Sequence, residues 1–138
     1  LSIFALTGNP KHMSHESFCK KWLAAWTGNR PMDLMKFYHP EAYYSDPAKR
    51  DGRQGYRQLL PYFEKLLAMN PDWKWHAEEI ISIENGFILK WKASIPAGNK
   101  VIHETGLDIV ELKDGLIIRN EVYFDRTKWM EALKKVAV

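Results

Sequence analysis

The stretch from Gly106 to Asp125, GLDIVELKDGLIIRNEVYFD, constrains this chain most. It is two β-rich runs around Lys113-Asp114-Gly115, and Asp-Gly supplies the positive φ angles of a two-residue hairpin turn. Side chains alternate with period two along a strand, so Asp108 shares a face with Ile102, Glu104, Gly106, Val110 and Leu112. A carboxylate flanked by Val110 and Leu112 is at a frayed edge, paired, or held in an apolar place. Burying it unpaired is costly, and such a group raises its pKa and takes up a proton instead.

The same alternation continues upstream. Trp73, Trp75, Ala77, Glu79, Ile81 and Ile83 read as one face of a strand, followed by a turn at Asn85-Gly86. Phe87, Leu89, Trp91, Ala93 and Ile95 form the apolar face of the next strand, and Pro96 to Asn99 turns into the strand that begins at Val101. Before this meander the period is helical. Phe18, Trp22, Ala25 and Trp26 mark a helix over about 14–27, with Ser14 as N-cap and Gly28 as its stop. Pro31 to Tyr38 is a short second helix. Glu41 to Asp46 is a short strand closed by Asp46-Pro47, and 48–52 reads as a charged loop. Tyr56, Leu59, Leu60, Phe63, Leu66 and Leu67 predict a long helix over about 53–69, kinked or broken at Pro61. Asp125 caps a last helix over about 126–136. Helices followed by long hairpin-connected strands define an α+β domain. The expected fold is a curved antiparallel sheet wrapped on the N-terminal helices around a cone-shaped pocket.

With 138 residues the chain holds one domain. Residues 1–13 read as a poorly ordered arm, with a native start at Met13, and 14–138 as the single domain. A net charge of +3 with both signs interspersed argues against nucleic acid. The apolar run 1–6 is too short for a membrane span or a leader core. Cys19 is the only cysteine, so an intrachain disulfide and a Cys/His zinc site are both excluded, which suits a reducing, cytoplasmic setting. Six residues each of Trp, Tyr and Phe imply an aromatic core or an aromatic-lined cavity.

The segments FCKKWLAAWTGN, YHPEAYYSDPAKRDGR and TGLDIVELKDGLIIRNEVYFDR, together with Trp129 to Leu133, resemble the nuclear transport factor 2-like superfamily and, within it, the SnoaL-like group that includes polyketide cyclases. The resemblance implies a cone-shaped cavity for a small apolar molecule and no cofactor or metal. It places Asp46 where ketosteroid isomerases of the superfamily keep their general base. It places Asp108 where those enzymes keep a protonated acid, the case of a carboxylic acid held neutral, and where the cyclases keep an acid/base Asp. Trp22 stands where the isomerases have an oxyanion-hole Tyr, a different donor with a different reach.

The competing readings are structural. Asp before Pro commonly caps a turn, which would explain Asp46. A plain two-residue hairpin sets Val110 opposite Arg119 and Asp108 opposite Glu121, so Asp108 would pair with Arg119 or share a proton with Glu121. Catalysis is expected from Asp108 and Asp46, and ligand contact from Trp22, Trp26, Tyr44, Phe63, Trp91, Val110, Arg119 and Glu121. His76 and His103 read as surface residues. Three functions fit: a cofactor-independent isomerase or cyclase, a non-catalytic binding or dimerising module, and epoxide-hydrolase-like chemistry through Asp108 and Arg119. Leu107, Ile109, Ile118 and Val122 on the outer sheet face suggest a homodimer.

Overall fold

The computed structural model describes residues 14–137; the expected N-terminal arm lies outside the described residues. The elements run α1 (His15–Ala25), α2 (Pro31–Met35), β1 (Tyr38–Asp46), β2 (Lys49–Gln54), α3 (Gly55–Met69), β3 (Lys74–Ile83), β4 (Gly86–Ala97), β5 (Lys100–Lys113), β6 (Leu116–Tyr123) and α4 (Thr127–Ala137). One curved sheet has the strand order β2-β1-β6-β5-β4-β3. It is antiparallel except for β1, which runs parallel to β6. Of the segment 48–52, read from its charges as a loop, Ala48 lies in the turn and the rest belongs to strand β2, paired to β1 from Tyr43↔Gln54 to Asp46↔Lys49. Edge strands tolerate such polar sequences because only one of their sides needs a partner.

The local signals act where the residues put them. The Ser14 hydroxyl accepts from the Ser17 N–H at 3.1 Å and starts α1. Asp125 Oδ1 accepts from the Thr127 N–H at 2.9 Å at the start of α4. Pro61 lies inside an unbroken α3, so the helix does not divide there. The β5–β6 turn carries φ +55° at Asp114 and +79° at Gly115, as the Asp-Gly pair requires. The β3–β4 hairpin turns on Glu84-Asn85 rather than Asn85-Gly86, because Ile83 pairs with Gly86.

Two bulges re-aim side chains. In β3, Ala77 pairs with Trp91 and Glu79 with Lys90, so Glu78 is extra. Beyond it the faces exchange: Ile80 packs on the core and Ile81 is exposed. In β6, Leu112 pairs with Ile117 but Glu111 with Arg119, so Ile118 is extra. The predicted register therefore holds only next to the turn. Val110 faces Asn120 and Asp108 faces Val122, each one position away from the plain-hairpin partners Arg119 and Glu121.

Helices α1 and α3 cover the concave face. Phe63 of α3 meets Trp26 of α1 and Tyr38 and Tyr44 of β1 with ring centroids 5.1–5.3 Å apart. On the sheet, the alternate β4 residues Phe87, Leu89, Trp91, Ala93 and Ile95 are all buried. Gly106 sits opposite Trp91. A Cβ there would clash with Trp91 Cζ2, so the indole occupies the space a side chain would need. Gly106→Ala is expected to cost about 1–3 kcal/mol through overpacking, read as a lower urea midpoint. An unchanged midpoint would mean that Trp91 can move aside freely.

Candidate functional site

β4, β5, β6 and the end of β1 bring their inward side chains to the open end of the cone. There they line a cavity of about 120 Å³. Its walls are mainly aromatic: Trp26, Tyr44, Trp73, Trp75, Trp91, Phe124 and Trp129. Trp75 and Trp91 meet edge to face at 4.8 Å, and Trp91 and Phe124 at 5.3 Å. Asp46, Asp108 and Arg126 are the charged residues among the lining.

Asp108 is 5 % exposed. Trp91 Nε1–H donates to its Oδ1 at 2.8 Å, and Asn120 Nδ2–H donates to its Oδ2 at 3.0 Å. Among the described residues no cation pairs with it. Burial pushes its pKa up to about 6; the Asn120 and Trp91 donors hold it back, and the charge of Asp46 adds to the rise. Glu121 has no part in it.

Asp46 stands in a different environment. Its Oδ2 accepts from Tyr44 O–H at 2.8 Å and Tyr62 O–H at 2.6 Å. Its Oδ1 accepts from the Ala48 and Lys49 N–H groups at 2.9 and 2.8 Å. Four donors fill the four acceptor directions of a carboxylate. Asp46 thus ties the β1–β2 turn to α3. Tyr44 and Tyr62 hold their protons tightly, chiefly through burial and then through the adjoining Asp46.

The remaining expected ligand contacts divide. Trp26, Tyr44 and Trp91 line the cavity. Trp22, Phe63 and Val110 are fully buried in the core beneath it, and Trp22 Nε1–H donates to Tyr38 O–H at 3.3 Å. The Ile118 bulge turns Arg119 and Glu121 to the outer face. Arg119 bonds Glu111 at 2.8 Å and also Glu121. Burial opposes ionisation of Glu121, but Tyr123 O–H and Arg119 outweigh it and hold the carboxyl below its ordinary value. The expected Asp108–Arg119 pair is therefore absent. Val122, expected outside, is part of the cavity wall. His76 and His103 are exposed.

The sequence reading missed Asn120, Tyr38 and Tyr62 around the two carboxyls, and Trp73, Phe124, Arg126 and Trp129 in the cavity wall. One signal for Asn120 was available. Asn120, Val122 and Phe124 alternate with Arg119, Glu121 and Tyr123, and the first set is the better inward face. Seating it requires an extra residue within Leu116-Ile117-Ile118.

The arrangement is a cone of sheet and helices over an aromatic cavity with two buried carboxylates in its wall, Asp46 and Asp108. The family model of the SnoaL-like domain matches residues 19–120, and the chain belongs to that family. Its fold is that of the nuclear transport factor 2-like superfamily. No curated protein matches the chain. Solved structures do. One is described as a candidate SnoaL-like polyketide cyclase from Shewanella putrefaciens CN-32, with TM-score 0.73, 14 % identity, and coverage of 98 % of this chain and 95 % of that one. A second is TerC co-crystallised with polyporic acid, with TM-score 0.73, 12 % identity, and coverage of 87 % and 98 %. A third, from Catenulispora acidiphila DSM 44928, has a ketosteroid isomerase-like fold and is in complex with trimethylamine. It gives TM-score 0.70, 16 % identity, and coverage of 81 % and 88 %. At these identities the likeness is one of fold. Among the described residues no helix is long and apolar enough to cross a membrane.

The raised Asp108 pKa has a consequence for stability. The native state keeps a proton that the unfolded chain releases near the ordinary aspartate value of 3.8. Asp108 is therefore neutral in both states at lower pH. It costs stability increasingly as pH climbs from about 4 to about 6, with the full cost above that. At about 1.4 kcal/mol per unit, the total is about 3 kcal/mol. The unfolding free energy of wild type minus that of Asp108→Asn is expected to fall by that order between pH 4 and pH 7. A difference that stays flat would mean that Asp108 titrates normally.

Proposed function

We propose that this protein binds a small apolar molecule in the cone and moves a proton on it with Asp108, as a cofactor-independent isomerase or cyclase. One observation supports this above the others: a buried carboxyl in the cavity wall, held by two neutral donors and, among the described residues, in no ion pair. Such a group passes between its two protonation states near neutral pH, as general acid–base work requires. The polyketide cyclase description of a structural neighbour points to the same chemistry. Asp46 assists by position: it holds Tyr44 at the cavity, ties in Tyr62 of α3 and keeps the turn beside them closed. Trp26 and Trp91 give the ligand flat apolar surface. With Arg119 on the other face of the sheet, the Asp108–Arg119 pair that epoxide-hydrolase-like chemistry would use is not formed.

The test is hydrogen exchange at an activated carbon. Wild type and Asp108→Asn are incubated in D2O with a panel of cyclic 1,3-diketones and aromatic β-keto esters, and deuterium uptake is read by NMR. Wild type is expected to accelerate uptake with a rate that rises through pH 6. The variant is expected to lose roughly 10²–10⁴-fold while still binding, as judged by quenching of tryptophan fluorescence. Equal exchange in both proteins rules out Asp108 as the acid/base group. Binding without exchange in wild type leaves a non-catalytic binding module.

We further propose a homodimer through the outer sheet face. Leu107 and Tyr123 stand opposite each other there and are 44 % and 43 % exposed, and Ile81 lies on the same face at 47 %. Apolar surface of this kind is what a second copy would cover. Sedimentation equilibrium is expected to show a dimer at micromolar concentration and a monomer for Leu107→Glu. A monomeric wild type excludes the interface.

A further inference from the structure

The hydrogen bonds behind Asp108 extend well beyond its two direct donors. Asn120 Oδ1 accepts from Tyr38 O–H at 2.8 Å, and Tyr38 in turn accepts from Trp22 Nε1–H at 3.3 Å. Tyr38, Trp22 and Asn120 are all fully buried. The chain links α1, β1, β6 and β5, with Trp91 of β4 donating from the other side.

Its direction follows from chemistry. An indole N–H can only donate. Trp22 therefore occupies a lone pair of the Tyr38 hydroxyl, and the single Tyr38 proton goes to Asn120. That makes the atom facing Tyr38 the amide oxygen, so the atom facing Asp108 is the amide nitrogen. A flipped amide would point its NH2 at a hydroxyl that already receives Trp22 and would leave the Tyr38 proton without an acceptor. Trp91, the other partner of Asp108, is also donor-only. Each Asp108 oxygen thus has one lone pair permanently taken by a donor that cannot turn into an acceptor. A proton on Asp108 must sit on one of the lone pairs left over.

We propose that Trp22, Tyr38 and Asn120 are positioning residues that hold the Asp108 carboxyl as an acceptor towards the protein, so that it exchanges its proton only with what occupies the cavity. The proposal rests on the acid/base reading of Asp108. It assigns to Trp22 a role at one remove rather than contact with the ligand, and to Asp108 a working cycle that begins from the carboxylate rather than from a permanently neutral acid. In the forward step Asp108 takes a proton from the bound molecule, leaving its electron pair there. In the return step it gives the proton back at another atom. No oxidant, reductant or further reactant is needed. An amide and an indole do not relay protons, so the chain behind Asp108 orients it without draining it.

The groups facing Asp108 do not compete. Cys19 of α1 is buried, with its thiol pushed up to about 12 by burial and then by Asp108. Tyr38 of β1 is likewise held neutral, mainly by burial. Asp46 of β1 adds negative charge from its own fully bonded position.

The test is the titration of Asp108, followed by ¹³C NMR of the carboxyl in the ligand-free protein, with Asp108→Asn identifying the resonance. In Tyr38→Phe the amide is free to flip and accept from a protonated Asp108, so the midpoint is expected to rise by about one pH unit, the scale of one hydrogen bond. Trp22→Phe keeps most of the ring volume and frees the Tyr38 hydroxyl to rotate; a smaller rise is expected. Tyr56→Phe serves as control. It removes a hydrogen bond of 2.8 Å to the Tyr38 carbonyl, outside the chain, and should leave the midpoint where it is. The rising limb of the D2O exchange profile should move with the midpoint in each variant. Folded Tyr38→Phe and Trp22→Phe proteins that titrate like wild type overturn the proposal, and if only Trp22→Phe folds, its unchanged midpoint suffices. A shifted midpoint in a protein without exchange activity upholds the positioning chain and refutes only the catalytic reading.

Discussion

One extra residue in β6 decides what surrounds the buried acid. Without Ile118 as a bulge, Arg119 and Glu121 would face inward beside Asp108, and three charged groups would share one apolar space. Desolvating them costs more than their mutual attraction returns unless the geometry is very good. The bulge sends both outward, where Arg119 bonds Glu111 and Glu121 at the surface. It brings Asn120, Val122 and Phe124 inward in exchange. The cavity, the neutral donor to Asp108 and the solvent-facing ion pairs all follow from that shift.

Two aspartates at one cavity take opposite parts because their partners differ. Asp46 meets two hydroxyls and two backbone N–H groups, and all its acceptor capacity is used. Asp108 meets two donors, is almost wholly buried and forms no ion pair among the described residues. The first arrangement stabilises a turn and a pair of tyrosines. The second leaves a carboxyl close to balance between charged and neutral forms. The aromatic wall contributes on both sides, since Trp91 is at once cavity surface and hydrogen-bond donor, and Gly106 gives it the room to be both.

Much of the fold was legible in the residues. Helix starts at Ser14 and Asp125, the Asp114-Gly115 turn, the buried stripe of α3 and the alternation along β4 are local signals. They operate over a few residues through capping, positive φ angles and periodicity, so they survive without knowledge of the rest of the chain. Asp108 stood out for the same reason, as a carboxylate on an apolar strand face. Aromatic content pointed to a cavity wall that includes Trp26, Tyr44 and Trp91, but it did not separate them from Trp22 and Phe63, which lie in the core.

Tertiary structure decided the rest. Strand β2 is a strand only because β1 lies beside it, and β1 lies parallel to β6 through contacts between distant parts of the chain. The bulges at Glu78 and Ile118 were settled by which faces could be buried at least cost, a comparison between whole strands and not a property of any short stretch. For that reason Arg119 and Glu121 left the site and Asn120 and Tyr38 entered it. By itself the sequence determined an aromatic α+β cone with an acid, Asp108, on an apolar strand face. Which side chains hold that acid depended on register, because a shift of one residue moves every later side chain to the opposite face of the sheet.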